Sequence, residues 1–130
     1  MLSLEVDVTE YPGKLVLRLQ DLMHLSPVKI AKLRDDLLKL VKTKPADSII
    51  VNLDRVKFCS SYTHNLLLDL HHATKNRPER IRLCQLQADA LKVLQLSKTE
   101  QFFEIFETED EALAEPYGFN SKQFADHTKR

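Results

Sequence analysis

The stretch SIIVNLDRVKFCSSYTHNLLLDLHH, residues 48–72, decides the fold because it joins two patterns of different period. Residues 48–53 form a continuous apolar run rich in β-branched side chains, which is typical of a central strand buried on both faces. After Ser60, leucines recur at three- and four-residue spacing, as they do on the buried side of a helix. A strand that leads directly into a helix predicts a crossover connection to a parallel neighbour.

The sequence on either side continues this alternation of strands and helices. Before the stretch, we expect two antiparallel strands at residues 4–8 and 15–19, then a helix that starts at Ser26-Pro27 and runs to about Thr43. After it, we expect a strand at 81–86, a helix at 88–96, a strand at 103–106 and a helix at 110–114, with Thr108 and Glu111 as a capping box.

The predicted order of elements is therefore β β α β α β α β α. Strands that are joined through helices return parallel to one another, whereas the first two strands are joined by a turn. The sequence predicts an α/β domain with a mixed sheet, mostly parallel with an antiparallel N-terminal edge, and about four helices. We expect this domain to span residues 1–115, with residues 116–130 as a C-terminal tail.

Charge and hydropathy narrow the class of partner and the cellular location. Nineteen basic and nineteen acidic residues cancel, so no net field favours nucleic acid or an anionic membrane surface. The first 13 residues lack a signal-peptide core, and no apolar run is long enough to cross a bilayer. These features predict a soluble cytoplasmic protein that binds another protein or a small ligand, without membrane insertion.

Residues that could carry catalysis are few. With only two glycines, Gly13 and Gly118, the chain has no phosphate-binding glycine loop and no nucleophile elbow. Cys59 and Cys84 each lie in an apolar context, which favours buried reduced thiols over a disulfide or a metal site. A nucleophilic pair of Ser61 or Cys59 with His64 lacks an acidic orienting residue. We predict a protein without enzymatic activity, cofactor or bound metal.

Three segments resemble the STAS domain, the fold of bacterial anti-sigma-factor antagonists. IIVNLDRVKFCSSYTHNLLL, residues 49–68, is similar to the family's strand, its D-L-S-x-V-x-F-I-D-S-S-G motif and the start of the next helix. LVLRLQDL, residues 15–22, and IRLCQLQADALKVLQLSKTEQFFEIFETEDEAL, residues 81–113, resemble the strands and helices on either side. The resemblance implies a STAS-type fold over most of the chain.

The same resemblance implies a phosphorylation site at the start of the second helix. Ser61 matches the serine that anti-sigma kinases phosphorylate, while Ser60 takes the place of the family's aspartate. Tyr62 and Thr63 replace the following serine and glycine, and together with Ser60 they are alternative acceptors. From the residues alone, one of the two serines is a helix cap, with Ser60 the expected one.

By resemblance the partner is an anti-sigma factor with a serine-kinase fold, or another signalling protein. A subunit of a lipid-transport ATP-binding cassette system, or a sensor of a small ligand or nucleotide, remains an alternative. Leu22 and Leu25 favour packing of their loop under a helix, whereas an exposed Met23 would contact a partner. The predicted polar face of the second helix presents solvated histidines, and the predicted partner-binding residues are Met23, Ser60, Ser61, Tyr62, Thr63, His64, Asn65, Asp69 and His72.

Overall fold

The computed structural model describes residues 6–22, 25–44, 46–77 and 79–114. The strands are β1 (Val6–Tyr11), β2 (Lys14–Gln20), β3 (Ser48–Arg55), β4 (Arg82–Cys84) and β5 (Glu104–Phe106). The helices are α1 (Pro27–Thr43), α2 (Ser61–Thr74), α3 (Ala88–Ser97) and α4 (Glu109–Ala114), with a 3₁₀ turn at Glu100–Phe102. The predicted order of elements is confirmed.

The five strands form one sheet in the order β1-β2-β3-β4-β5. β1 and β2 pair antiparallel, and the other three pairings are parallel. The mixed sheet with an antiparallel N-terminal edge is therefore confirmed. β4 is shorter than the predicted strand at 81–86, because Gln85 adopts a left-handed backbone with φ of 57° and ends the extended run.

One face of the sheet is covered by α1, α2 and α3. Its centre is a row of paired residues, one from each of β2 to β5, that faces the leucines of the three helices. The row consists of Leu17, Val51, Leu83 and Ile105, and the helices contribute Leu33, Leu37, Leu66, Leu67, Leu70 and Leu94. The apolar residues of the opening stretch supply both the strand and the helix at the middle of this core.

α4 covers part of the opposite face and is held at both ends. At its start, Glu109 accepts hydrogen bonds from Arg18 Nη2 at 2.6 Å and from Asn52 Nδ2 at 2.8 Å. Near its end, Arg82 Nη1 donates to the carbonyl oxygen of Ala112 at 2.6 Å. Thr108 Oγ1 accepts from the amide of Glu111 and the Glu111 carboxylate from that of Thr108, so the predicted capping box is confirmed.

Two further expectations concern helix α1 and hydropathy. Ser26 caps α1, since its side chain accepts a hydrogen bond from the amide of Lys29 at 3.3 Å, and Pro27 follows as the first helical residue. Within the described ranges, none of the helices combines the length and the apolarity that a membrane crossing requires.

Candidate functional site

The candidate site is the loop at residues 56–60 between β3 and α2, together with the first turn of α2. The loop begins at the carboxyl end of a parallel strand in the middle of the sheet, where ligand and partner sites of α/β proteins concentrate. The end of β3 is joined to the connection between β4 and α3, because Gln87 Nε2 donates to the carbonyl oxygen of Asp54 at 2.5 Å. Because β3 lies between β2 and β4, the loop lies between the segments that follow those two strands.

Two carboxylates from other elements hold the backbone of this loop. Asp21, which follows β2, accepts a hydrogen bond from the amide of Phe58 at 3.2 Å. Asp89, in the first turn of α3, accepts one from the amide of Cys59 at 2.9 Å. The chain lacks the family's aspartate at position 60, but these two residues bring carboxylates to the same loop from elsewhere in the fold.

Ser60 is the N-cap of α2, as expected. Its backbone is extended, with φ of −68° and ψ of 168°, and its Oγ accepts a hydrogen bond from the amide of Thr63 at 3.3 Å. Ser61 follows as the first helical residue, and its side chain is exposed. Because Ser60 satisfies the capping requirement, the hydroxyl of Ser61 is not needed for it.

Aromatic side chains lie on both sides of Ser61 along the chain. Phe58 is 58% exposed and Tyr62 is 48% exposed. Aromatic side chains are enriched at protein interfaces. Phe58 was missing from the predicted partner-binding residues, although its match to the family motif was a signal for it.

Thr63 does not belong to the surface of this site, which corrects its prediction as an alternative acceptor and a partner contact. Its side chain has no solvent exposure, and its Oγ1 lies 3.3 Å from Ser60 Oγ. It is on the side of α2 that carries Leu66 and Leu70 into the core. A kinase could reach Thr63 only if the first turn of α2 opened.

The predicted polar face of α2 is not one continuous surface, which is a second correction. Its residues point in three directions: toward α3, toward α1 and toward solvent. His64 faces α3, since its Nε2 lies 2.9 Å from Thr99 Oγ1, just beyond the end of that helix. Asp69 faces α1 and accepts a hydrogen bond from Arg34 Nε at 2.6 Å. Asn65 and His72 are exposed to solvent.

The histidines also differ in environment: His72 is exposed, as predicted, whereas His64 and His71 are half-buried and only partly solvated. His71 stacks on Phe102 with 4.7 Å between ring centroids, and its pKa is lowered, first by desolvation and then by the charges of His72, Lys75 and Arg80.

In the described part of the chain, no three His, Cys, Asp or Glu side chains are placed to hold one metal ion.

The two cysteines are buried and unpaired, as predicted. Burial, followed by the charge of Asp89, raises the pKa of Cys59 to about 11. Burial is also the largest cause that raises the pKa of Cys84 to about 12. The thiolate is the nucleophilic form, so at neutral pH neither cysteine is activated for catalysis.

The loop after β2 is described only in part. Leu22 is completely buried and Leu25 packs against the core, which confirms the interpretation that these leucines lie under the helices. Met23, the predicted partner contact in this loop, lies outside the described residues.

The fold agrees with the comparison to known families. The family model for the STAS domain matches residues 5–112. The chain belongs to the STAS domain family. Among solved structures, it is similar to a STAS-domain anti-sigma-factor antagonist from Planctomyces limnophilus, with a TM-score of 0.71 and 19% identity over 83% of this chain and 94% of that one.

Two solved structures of SpoIIAA are also similar to this STAS domain. The anti-sigma-factor antagonist SpoIIAA in its unphosphorylated form has a TM-score of 0.68 and 22% identity over 83% of this chain and 92% of that one. SpoIIAA of Bacillus in the phosphorylated form has a TM-score of 0.64 and 21% identity over 83% and 96%. At these identities the likeness shows the fold. No curated protein is a significant match to the chain.

Proposed function

We propose that this STAS domain is a non-enzymatic regulatory module of the bacterial cytoplasm that binds an anti-sigma factor with a serine-kinase fold. The observation that carries the proposal is the exposed Ser61 at the start of α2, between exposed Phe58 and Tyr62. An apolar surface around one hydroxyl suits a protein partner, because burial of the two rings stabilises a complex and the hydroxyl offers a point of control.

Phosphorylation of Ser61 is the proposed control. A phosphate adds about −1.5 to −2 charge at pH 7, and a packed apolar interface cannot solvate that charge. SpoIIAA has been solved in both a phosphorylated and an unphosphorylated form, which supports this reaction for a similar fold. The phosphorylated domain would bind its partner less tightly than the unmodified one.

The proposed partner surface follows α2 from Ser61 to His72 and the loop before it. Thr63 is left out because it is buried, and Phe58 is added because it is exposed. Met23 remains part of the proposal, and so does the division into a domain of residues 1–115 and a tail of residues 116–130. The proposed surface comprises Met23, Phe58, Ser60, Ser61, Tyr62, His64, Asn65, Asp69 and His72.

The test uses the purified serine-kinase anti-sigma factors encoded in the same genome. Each is incubated with the full chain and ATP, phosphate is mapped by mass spectrometry, and affinity is measured by calorimetry. We expect phosphate on Ser61 and at least a tenfold weaker complex for Ser61→Glu, while Ser61→Ala binds like the native chain. Absence of phosphate together with unchanged affinity for Ser61→Glu would refute the proposal.

A further inference from the structure

A groove of about 270 Å³ lies between α1 and α2, beside the Ser61 turn. α1 contributes its first two turns and α2 contributes the residues that face them. The lining combines apolar and polar residues. Pro27, Ile30, Ala31 and Leu66 are its apolar residues, and Arg34, Tyr62, Asn65 and Asp69 are its polar ones.

The charges of the groove are balanced within it. Arg34 and Asp69 are the charged residues of the lining, and they form an ion pair of 2.6 Å that joins α1 to α2. A charged occupant would lose its hydration without finding an uncompensated counter-charge there. An uncharged apolar group gains from covering Pro27, Ala31 and the ring of Tyr62, which form the exposed apolar part of the lining, so the chemistry of the groove favours it.

The groove is continuous with the proposed partner surface. Tyr62, immediately after Ser61, and Asn65, one turn later, belong to both. Val28, next to Pro27 at the start of α1, is 79% exposed and extends the apolar surface beyond the groove. A protein that covers the Ser61 turn therefore comes to lie over the groove as well.

We propose that the partner protein inserts one uncharged apolar side chain, aliphatic or aromatic, into the groove between α1 and α2. The identity of that partner rests on the proposed function. The groove acts as the fixed anchor of the complex and the Ser61 turn as its controlled part. The anchored side chain would fix how the two proteins are aligned, and phosphorylation at Ser61 would then weaken this aligned complex.

The chemistry of the groove can be tested without the partner. The full chain is titrated with N-acetyl-leucinamide or N-acetyl-phenylalaninamide, and the methyl signals of Ala31 and Leu66 are followed by NMR. We expect saturable shifts in the millimolar range, and none with N-acetyl-lysinamide or N-acetyl-aspartic amide at equal concentration. Equal shifts with all four compounds, or none with the apolar two, would overturn the proposal.

Substitution of Ala31 then tests the groove in the complex. Ala31 is exposed on α1, so Ala31→Phe fills the groove without entering the core, and Ala31→Leu fills less of it. Ala114→Phe is the matched control, because Ala114 is exposed on α4, which packs on the opposite face of the sheet. Thermal melting of each variant checks that the fold is retained.

We expect Ala31→Phe to abolish binding of the apolar amides and to weaken the complex with the anti-sigma factor at least tenfold. Ala31→Leu should cause a smaller loss, and Ala114→Phe none. If Ser61→Glu weakens the complex but both Ala31 variants bind normally, the groove proposal fails and the proposed function stands. If Ala31→Phe weakens the complex while Ser61→Glu does not, the phosphorylation switch fails and the groove proposal stands.

Discussion

Ser60 and Ser61 are neighbours in the chain with different consequences for stability. Ser60 accepts a hydrogen bond from the amide of Thr63 and caps α2, so Ser60→Ala should lower the free energy of unfolding by about 1 kcal/mol. Ser61 is the first helical residue, and Ser61→Ala should change the free energy of unfolding little. Urea unfolding followed by circular dichroism measures both values.

Ser61→Ala is the control for this comparison, since it removes a serine hydroxyl from the next position in the chain. An equal loss of stability in both variants would mean that the two serines share the cap. The stability measurement also separates the two roles before any partner is known, because a phosphate acceptor need not contribute to folding.

At the scale of single residues, the sequence predicted the cap and the buried thiols but not the orientation of every side chain. Cys59 and Ser60 follow from the local context of one strand-to-helix junction, and Cys84 follows from the apolar strand in which it lies. Thr63 and His64 depend on which side of α2 faces the sheet and which faces α3. A resemblance assigns positions along a motif and leaves these directions open. Thr63 was therefore placed on the surface although it is buried, and the contact of His64 with Thr99 was not predicted.

Among the elements, α4 depends most on contacts from distant parts of the chain. Burial alone would raise the pKa of Glu109, but hydrogen bonds from Arg18 and Asn52 and the charge of Arg18 lower it overall. A carboxylate with a depressed folded pKa stabilises the protein at pH values above its unfolded pKa, which is about 4.3. That contribution is lost as the pH falls through the folded pKa.

We therefore expect Glu109→Gln to destabilise the protein by about 2 kcal/mol at pH 7, because Arg18 loses a charged acceptor. The difference from the native chain should shrink as the pH falls from the unfolded pKa through the lower folded pKa of Glu109, because the native side chain then becomes protonated as well. Chemical unfolding at a series of pH values measures it. Glu107→Gln, an exposed neighbour just before α4, is the control. A difference that does not depend on pH would contradict the assigned ion pair.

The sequence predicted that α4 exists and how it begins, since the capping box of Thr108 and Glu111 is local. It did not predict what holds the helix on the sheet. Glu109 is separated by 91 residues from Arg18 and by 57 from Asn52. The pairing of the strands brings these residues together. The spacing of apolar side chains in the sequence, from which the elements were predicted, carries no information about such polar contacts.

For the molecule as a whole, the two cysteines report different degrees of opening. Cys84 lies in β4, paired between β3 and β5, and has no solvent exposure. Cys59 lies in the loop before α2 and is 8% exposed. Local opening of a loop requires less free energy than unfolding of a central strand.

With a disulfide reagent at pH 8, we expect Cys59 to react slowly and Cys84 only at the rate of global unfolding. Both should react at once in concentrated guanidinium chloride. Single variants Cys59→Ser and Cys84→Ser assign each phase in a stopped-flow absorbance measurement. Faster reaction of Cys84 than of Cys59 in the native protein would contradict the burial of Cys84 in a strand paired on both sides.

The architecture of the molecule was the most predictable level. Strand and helix periods, together with the rule that crossovers make strands parallel, gave the order of elements and the antiparallel edge. The groove between α1 and α2 was not predicted, because its shape depends on how closely two helices pack and on the small side chain of Ala31. Packing distances of this kind are set by the assembled core.

The carboxylates of Asp21 and Asp89 also bear on how long a phosphate would remain on Ser61. They accept hydrogen bonds from the amides of Phe58 and Cys59, three and two residues before that serine. A phosphoryl group in this neighbourhood experiences repulsion from like charges, which raises the free energy of the phosphoserine. The group-transfer potential of the phosphoserine is then higher, so the equilibrium of its hydrolysis lies further toward the free serine hydroxyl. The side chains that shape the turn thus favour the unmodified protein as the resting state to which the signal decays.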